Sequence, residues 1–325
     1  MKMALSTRQS KDLLIALQRG VPLVRRPWAA MAQALGIAEQ QVLREARDLF
    51  ARGVARRFGA VFDSRRLGYA STLCAADVPG PDIQRAAARL HPHPGVTHCY
   101  EREGRPNLWF TLTAPADRLD SELRRVADML KPHPLLNLPA GRRFKVEVVL
   151  DAADGDVEPV SRSRFADRDE ALPPAPDGTP PPAFSARDQS LIRKIQDSLP
   201  LTDEPFTAVA RELKRDPDDI LRQLEAWKEA GILRRVGFIL RHRAAGFVAN
   251  GMCVWPVAVA DVARAGRILA GAPEVTHCYE RPSSPAVPFN LYAMIHARDQ
   301  ATAESTFRRL SEQASLSGGR MLVSV

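Results

Sequence analysis

Apolar positions recur at helical spacing in "TRQSKDLLIALQRGVPL" (Thr7 to Leu23) and again in "WAAMAQALGIAEQQVLREARDLFARGV" (Trp28 to Val54), where two short amphipathic helices meet near Gly36. This pattern outlines a helix-turn-helix. The same outline returns in "SARDQSLIRKIQDSLP" and "PFTAVARELKRDPDDILRQLEAWKEAGIL", closing on Gly231, a residue suited to capping a final helix. After each outline, "RRFGAVFDSRRLGY" and its counterpart "RRVGFILRHRAAGF" suggest two short strands around a polar turn, the wing of a winged helix. Downstream the period changes. "ASTLCAADV" reads as a strand, "PDIQRAAARLHPHP" as a helix, "GVTHCYERE" with "NLWFTLTA" as a hairpin, "DRLDSELRRVADML" as a helix and "RRFKVEVVLD" as the final strand. The order βαββαβ is ferredoxin-like. The second copy runs through the same elements and ends in a short strand within "GGRMLVSV".

The duplication is explicit in seven residues. Val-Thr-His-Cys-Tyr-Glu-Arg stands at Val96–Arg102 and again at Val275–Arg281. Outward from it, Arg56 and Arg57 align with Arg234 and Arg235, Gly68 with Gly246, and Asn107 with Asn290 across a short insertion that holds three prolines. The fold class expected is α+β, a tandem duplication of a winged helix-turn-helix plus a ferredoxin-like domain. The boundaries are 1–69 and 70–150 for the first copy, 151–184 for a linker rich in Pro, Asp and Gly, and 185–247 and 248–325 for the second.

Composition narrows the function. A chain of 325 residues with 45% hydrophobic and 26% charged side chains has room for more than one core and the balance of a soluble globular protein. No apolar stretch is long enough to span a bilayer and the N-terminus has no leader-like segment, so a cytoplasmic protein is expected. Cys74, Cys99, Cys253 and Cys278 have neither CxxC nor finger spacing, which argues against a disulfide framework or a zinc site. The net charge of +8 points to a polyanionic partner, either nucleic acid or a small molecule with many carboxylates.

A helix-turn-helix joined to a βαββαβ domain resembles the Lrp/AsnC family of feast/famine regulators. "HCYER" followed by "PFNLYAMIH" and preceded by "RRVGFILRHRAAGF", with "HCYER", "NLWFTL" and "RRFGAVFD" in the first copy, more particularly resembles the siroheme decarboxylases. Those enzymes have the Lrp/AsnC layout in paired related subunits, which some organisms fuse, and this chain resembles such a fusion over nearly its whole length. The resemblance implies removal of two acetate carboxyls from siroheme, through monodecarboxysiroheme to didecarboxysiroheme, on the way to d-type haem or to haem itself. It implies no cofactor beyond the iron tetrapyrrole substrate, no specific DNA or membrane partner, and an intramolecular pseudo-dimer that leaves a homo-oligomer open.

The chemistry of such a substrate asks for rim cations, apolar planes and imidazoles. Arg56, Arg57, Arg102, Arg234, Arg235, Arg241, Arg243 and Arg281 supply the first, Tyr100, Trp109, Tyr279, Phe289 and Tyr292 the second, and His98, His242 and His277 the third. Loss of carbon dioxide from a ring-bound acetate leaves a carbanion that the macrocycle delocalises. The protein's tasks are to fix the other carboxylates, exclude water and deliver one proton. His98 and His277 are the expected proton donors or ligands of the siroheme iron, and Tyr100 and Tyr279, two residues along the same strand face, the residues that steer a carboxylate or relay a proton. Asn107 and Asn290 are candidate substrate contacts that could instead close a turn. Cys99 and Cys278 fall on the opposite strand face and read as core, Trp28 and Trp227 as helix core, and His91, His93 and His133 as loop surface. Unequal pockets are expected, with the one holding His277 and His242 competent.

Two other classes remain: a DNA-binding regulator and a haem sensor without catalysis. Asp216, Asp218 and Asp219 open the second would-be recognition helix, where carboxylates repel phosphate.

Overall fold

The computed structural model describes residues 6–146, 182–241, 244–247 and 249–324. Most of the expected linker, together with His242 and Arg243, lies outside the described residues. The first copy runs α1 (Thr7–Arg19), α2 (Pro27–Leu35), α3 (Glu39–Ala51), β1 (Ala55–Phe62), β2 (Tyr69–Ala76), α4 (Gly80–Leu90), β3 (Val96–Glu101), β4 (Leu108–Pro115), α5 (Leu119–Leu130), β5 (Leu135–Pro139) and β6 (Arg143–Val146). The second runs α6 (Ala186–Asp197), α7 (Pro205–Glu212), α8 (Pro217–Glu229), β7 (Leu233–Leu240), β8 (Ala249–Trp255), α9 (Val262–Gly271), β9 (Val275–Glu280), β10 (Leu291–Ala297), α10 (Gln300–Gln313) and β11 (Arg320–Val323). The elements segregate into two units that each draw on both copies: 1–67 with 149–246, and 68–148 with 247–325.

In the first unit local chemistry sets the helix ends. Ser6 and Gln9 form a capping box on α1, and Ser185 and Asp188 do the same on α6. Pro27 and Pro205 open α2 and α7, and Gly36, at φ 65°, ends α2 in the left-handed region that glycine tolerates. Helix α3 buries Val42, Leu43, Ala46 and Leu49, one stripe of the helix, into a core that continues through Ile192, Phe206, Leu224 and Trp227 of the second copy. Trp28 and Trp227 are buried as expected.

The wing is not a hairpin. Strand β1 pairs antiparallel with β7, its counterpart, with Gly59 opposite Gly237 and Phe58 stacked on Phe238 at 5.1 Å. Helices cross the paired glycines so closely that a Cβ on Gly59 would lie 2.7 Å from the Ile195 carbonyl oxygen, and one on Gly237 2.8 Å from that of Leu17. Two-residue periodicity identified the strands, but the second strand of each expected wing, β2 or β8, is the first strand of a ferredoxin-like sheet.

In the second unit the sheets run β3-β4-β2-β5 and β11-β8-β10-β9-β6. Each buries one face under its own helices: Phe110 and Leu112 with Ile83 and Val126, and Leu291 and Ile295 with Leu269 and Leu310. The opposite faces share a further core of Ala75, Trp109 and Leu138 with Met252, Val254, Tyr292 and Leu322. Two expectations change here. The last strand of the first βαββαβ module is β5, and "RRFKVEVVLD" contributes β6, which leaves its own sheet and pairs with β9 of the second copy. Alternation shows which residues share a face and is silent on which strand edge receives them.

Candidate active site

Both copies of the seven-residue motif form the second strand of their module, and both contain a bulge. Val96 opposes Leu112 and His98 opposes Thr111, so Thr97 is the extra residue; Val275 opposes Ile295 and His277 opposes Met294, so Thr276 is. A bulge re-aims the side chain that follows it. The threonine hydroxyl then meets the histidine beside it, Thr97 Oγ1 at 3.1 Å from His98 Nδ1 and Thr276 Oγ1 at 3.0 Å from His277 Nδ1. Each imidazole lies nearly parallel to the tyrosine two residues on, with centroids 6.3 Å apart for His98 and Tyr100 and 6.1 Å for His277 and Tyr279. Strand alternation places this histidine-tyrosine column on the sheet face that carries Trp109 and Tyr292. One nitrogen of each ring is thereby held at the threonine oxygen.

The arginine that ends the motif has a different task. Arg102 is 3% exposed, its guanidinium sits over the Tyr100 ring, and Nη1 donates to the Leu322 carbonyl at 2.8 Å. Arg281 repeats this in reverse, over Tyr279 and Tyr292, with Nη1 donating to the Leu138 carbonyl at 2.6 Å. Burial pushes both guanidiniums down to about 10. Each therefore ties its own copy to the last strand of the other module, a structural use of a guanidinium that was expected to bind substrate carboxylates.

Several other candidates prove structural. Asn107 accepts from the Val78 amide at 2.9 Å and donates to the Val78 carbonyl at 2.8 Å; Asn290 does the same to Val257 at 2.8 and 2.7 Å. Their amides are committed to backbone, not to closing a turn but to clipping a segment 29 or 33 residues away. Trp109 is 2% exposed with Nε1 on the Pro106 carbonyl, and Tyr292 is buried with its hydroxyl on the Phe289 carbonyl, so neither offers a face to a macrocycle. Phe289 packs at the margin of the same core. Burial pushes the Tyr292 phenol up to about 12.

Among the cysteines and loop histidines, Cys99 and His93 depart from expectation. Cys278 is buried, but Cys99 is exposed because β3 is an edge strand among the described residues, whereas β9 is flanked by β6. His93 is buried, accepting the Gly95 amide at Nδ1 and facing Glu122 at 2.7 Å from Nε2, which makes Nε2 the protonated nitrogen. His91 is exposed, and His133 is partly covered, 4.0 Å from Asp82.

The remaining arginines belong to the first unit. Arg56 is exposed on β1 and Arg57 half-buried, lowered by burial and then by the neighbouring Arg56 charge. Arg235 is half-buried on β7, and Arg241 is exposed beyond its end. Arg234 donates to Asp63 at 2.8 Å; burial raises the Asp63 carboxyl, but the Arg234 hydrogen bond and charge, with Arg65, outweigh it and hold it below the usual carboxylate range. One cation in the second unit was missed. Arg143, on β6, stands directly opposite Tyr279. The signal was the "RRF" start of a strand assigned to the wrong sheet.

The chain's relatives agree with this layout. A family model described as an AsnC-like ligand binding domain matches residues 66–145 and 244–325, and one described as a siroheme decarboxylase NirDL-like HTH domain matches residues 10–56 and 188–234. A siroheme decarboxylase of Hydrogenobacter thermophilus is 33% identical over 315 residues, 96% of this chain and 90% of that protein. The chain belongs to the siroheme decarboxylase family. The siroheme decarboxylase NirDL subunit of Paracoccus denitrificans is 37% identical over 90% of this chain and 85% of its own length. The crystal structure of the siroheme decarboxylase NirDL in co-complex with an iron-uroporphyrin III analogue matches with a TM-score of 0.70 at 29% identity, covering 98% of this chain and 91% of that one. Within this family the doubled HTH and AsnC-like layout is the duplication read from the sequence. No helix among the described residues is long and apolar enough to cross a membrane.

Proposed function

We propose that this chain decarboxylates siroheme, removing two acetate carboxyls to give didecarboxysiroheme with no organic cofactor. Membership of the siroheme decarboxylase family along nearly the whole chain carries the reading, and the histidine-tyrosine column built identically on two bulged strands supplies chemistry that fits it. For each acetate, the bond from the methylene to the carboxylate carbon breaks, its electron pair passes into the conjugated ring, and carbon dioxide leaves. One proton then converts the methylene to a methyl group. His98 or His277 provides that proton or ligates the substrate iron, and Tyr100 or Tyr279 steers the departing carboxylate. A carboxylate placed in poorly solvated surroundings is destabilised relative to neutral carbon dioxide, and the half-covered His277 and Tyr279 offer more shelter from water than the exposed His98.

A sequence-specific DNA partner forms no part of the proposal. The start of α8 is already engaged: Asp216 caps the Asp218 and Asp219 amides, and Asp218 holds Arg25 in a bidentate pair at 2.7 and 2.9 Å. Anaerobic incubation of the purified chain with siroheme, followed by mass spectrometry, tests the function. Two successive losses of carbon dioxide without added organic cofactor are expected. Siroheme that binds and keeps its mass would make the protein a sensor.

A further inference from the structure

We propose that Arg143, carried on β6 out of the first copy, binds a carboxylate of the tetrapyrrole beside His277 and Tyr279, making this the single site that takes the polyanion. The inference rests on the decarboxylase reading for the identity of the ligand.

Register supplies the first argument. In an antiparallel ladder directly opposed residues share a face, and Arg143 opposes Tyr279 while Val146 opposes His277. Arg143 therefore stands on the face of the histidine-tyrosine column. The other side of β6 fixes the strand. Lys145 donates to the Ala272 carbonyl at 2.8 Å, and the Phe144 ring lies so near Gly266 that a Cβ there would come within 2.4 Å of it. Arg143 is thus set by a packed strand end and not by a loop.

Charge supplies the second. Arg281 is held beneath the tyrosines with its Nε buried and no acceptor for it. Among the groups acting on it electrostatically are Tyr279, Tyr292 and Cys74, and Arg143 adds a like charge. A second guanidinium added to that face raises the cost of the first unless an anion joins them. A carboxylate fits the planar fork of Arg143 bidentately and would offset the repulsion.

The first copy supplies the contrast. Among the described residues the only further pairing beside β3 is an isolated bridge from Arg102 to Ser324, and none of them opposes Tyr100 from that side as Arg143 opposes Tyr279. Duplication gave two columns, and the crossing strand equips one.

The test titrates iron-uroporphyrin III, followed by its visible absorbance, into the full chain and into Arg143→Gln. One equivalent per chain is expected, with R143Q binding about tenfold more weakly, the loss of roughly one charge-assisted contact, and with a shallower salt dependence. If wild-type protein converts siroheme while R143Q binds with unchanged affinity, or if two equivalents bind with equal affinity, the proposal falls. If R143Q loses affinity but wild-type protein leaves siroheme intact, the anion site stands and the decarboxylase reading falls. Should R143Q lower the melting temperature by more than ~3 °C, a sign of about 1 kcal/mol of lost structure, Arg143→Lys decides instead: intermediate affinity at wild-type stability supports the assignment, and wild-type affinity overturns it.

Discussion

Replacing Asn107 with Ala removes two hydrogen bonds at once, to the amide and carbonyl of Val78, which is fully buried. Each bond contributes about 1 kcal/mol net, and each backbone group left dry and unpaired costs about 1–3 kcal/mol. With partial relaxation the loss is about 2–4 kcal/mol. For a unit of this size each kcal/mol lowers the melting temperature by about 2–4 °C, so N107A should melt roughly 5–15 °C below wild type. Asn290→Ala should lose about half as much, because Val257 is only partly covered and water can replace the amide. The assay pairs a thermal melt followed by circular dichroism with siroheme titration at a temperature where both proteins are folded. The clip assignment requires that stability fall while affinity stays within about twofold. A tenfold weaker affinity in N107A with a melting temperature within ~2 °C of wild type would return Asn107 to the binding site and refute the reasoning.

Asp63 is depressed in the folded state, so it contributes stability that is present above the unfolded carboxylate value near ~4 and is lost as pH falls through its folded value. Asp63→Asn should cost about 1 kcal/mol at pH 7, and in denaturant titrations its deficit should vanish at acid pH; a deficit constant with pH would contradict the Arg234 pairing. Gly266→Ala should cost about 1–3 kcal/mol by driving a methyl into the Phe144 ring, and Phe144→Ala in the same chain should recover part of it; additive losses in the double variant would mean that the two residues do not meet.

The helices were legible because caps, glycines and apolar stripes are local: Ser6, Gly36 and the Val42 to Leu49 spacing need no knowledge of the rest of the chain. The doubled motif fixed the duplication and placed His98 and His277 on equivalent strands. Pairing partners were not legible. Strands β1 and β6 alternate as strands must, yet each bonds to the other copy, a choice made by packing between residues some 130 to 180 positions apart. The same blindness extends to the site. Arg102, Arg281, Trp109 and Asn107 are residue types that suit a carboxylated macrocycle, and the same donors and planes suit a buried seam between two sheets; burial, which the sequence does not display, separates the two uses. Arg143 was passed over for the converse reason, since its strand looked like ordinary sheet.

Strand β6 completing the sheet of the other copy has a consequence for how the halves change over time. In a dimer of identical chains every substitution is installed twice, so a residue that improves one column must be tolerated in the other. Here the two columns are separate stretches of a single sequence, and the tether makes their association first order, independent of protein concentration. His93 and Gly95 precede one motif where Ala272 and Glu274 precede the other, and the two strands hold the same seven residues in different surroundings. One half is free to keep the surfaces that hold the assembly together while the other refines the chemistry.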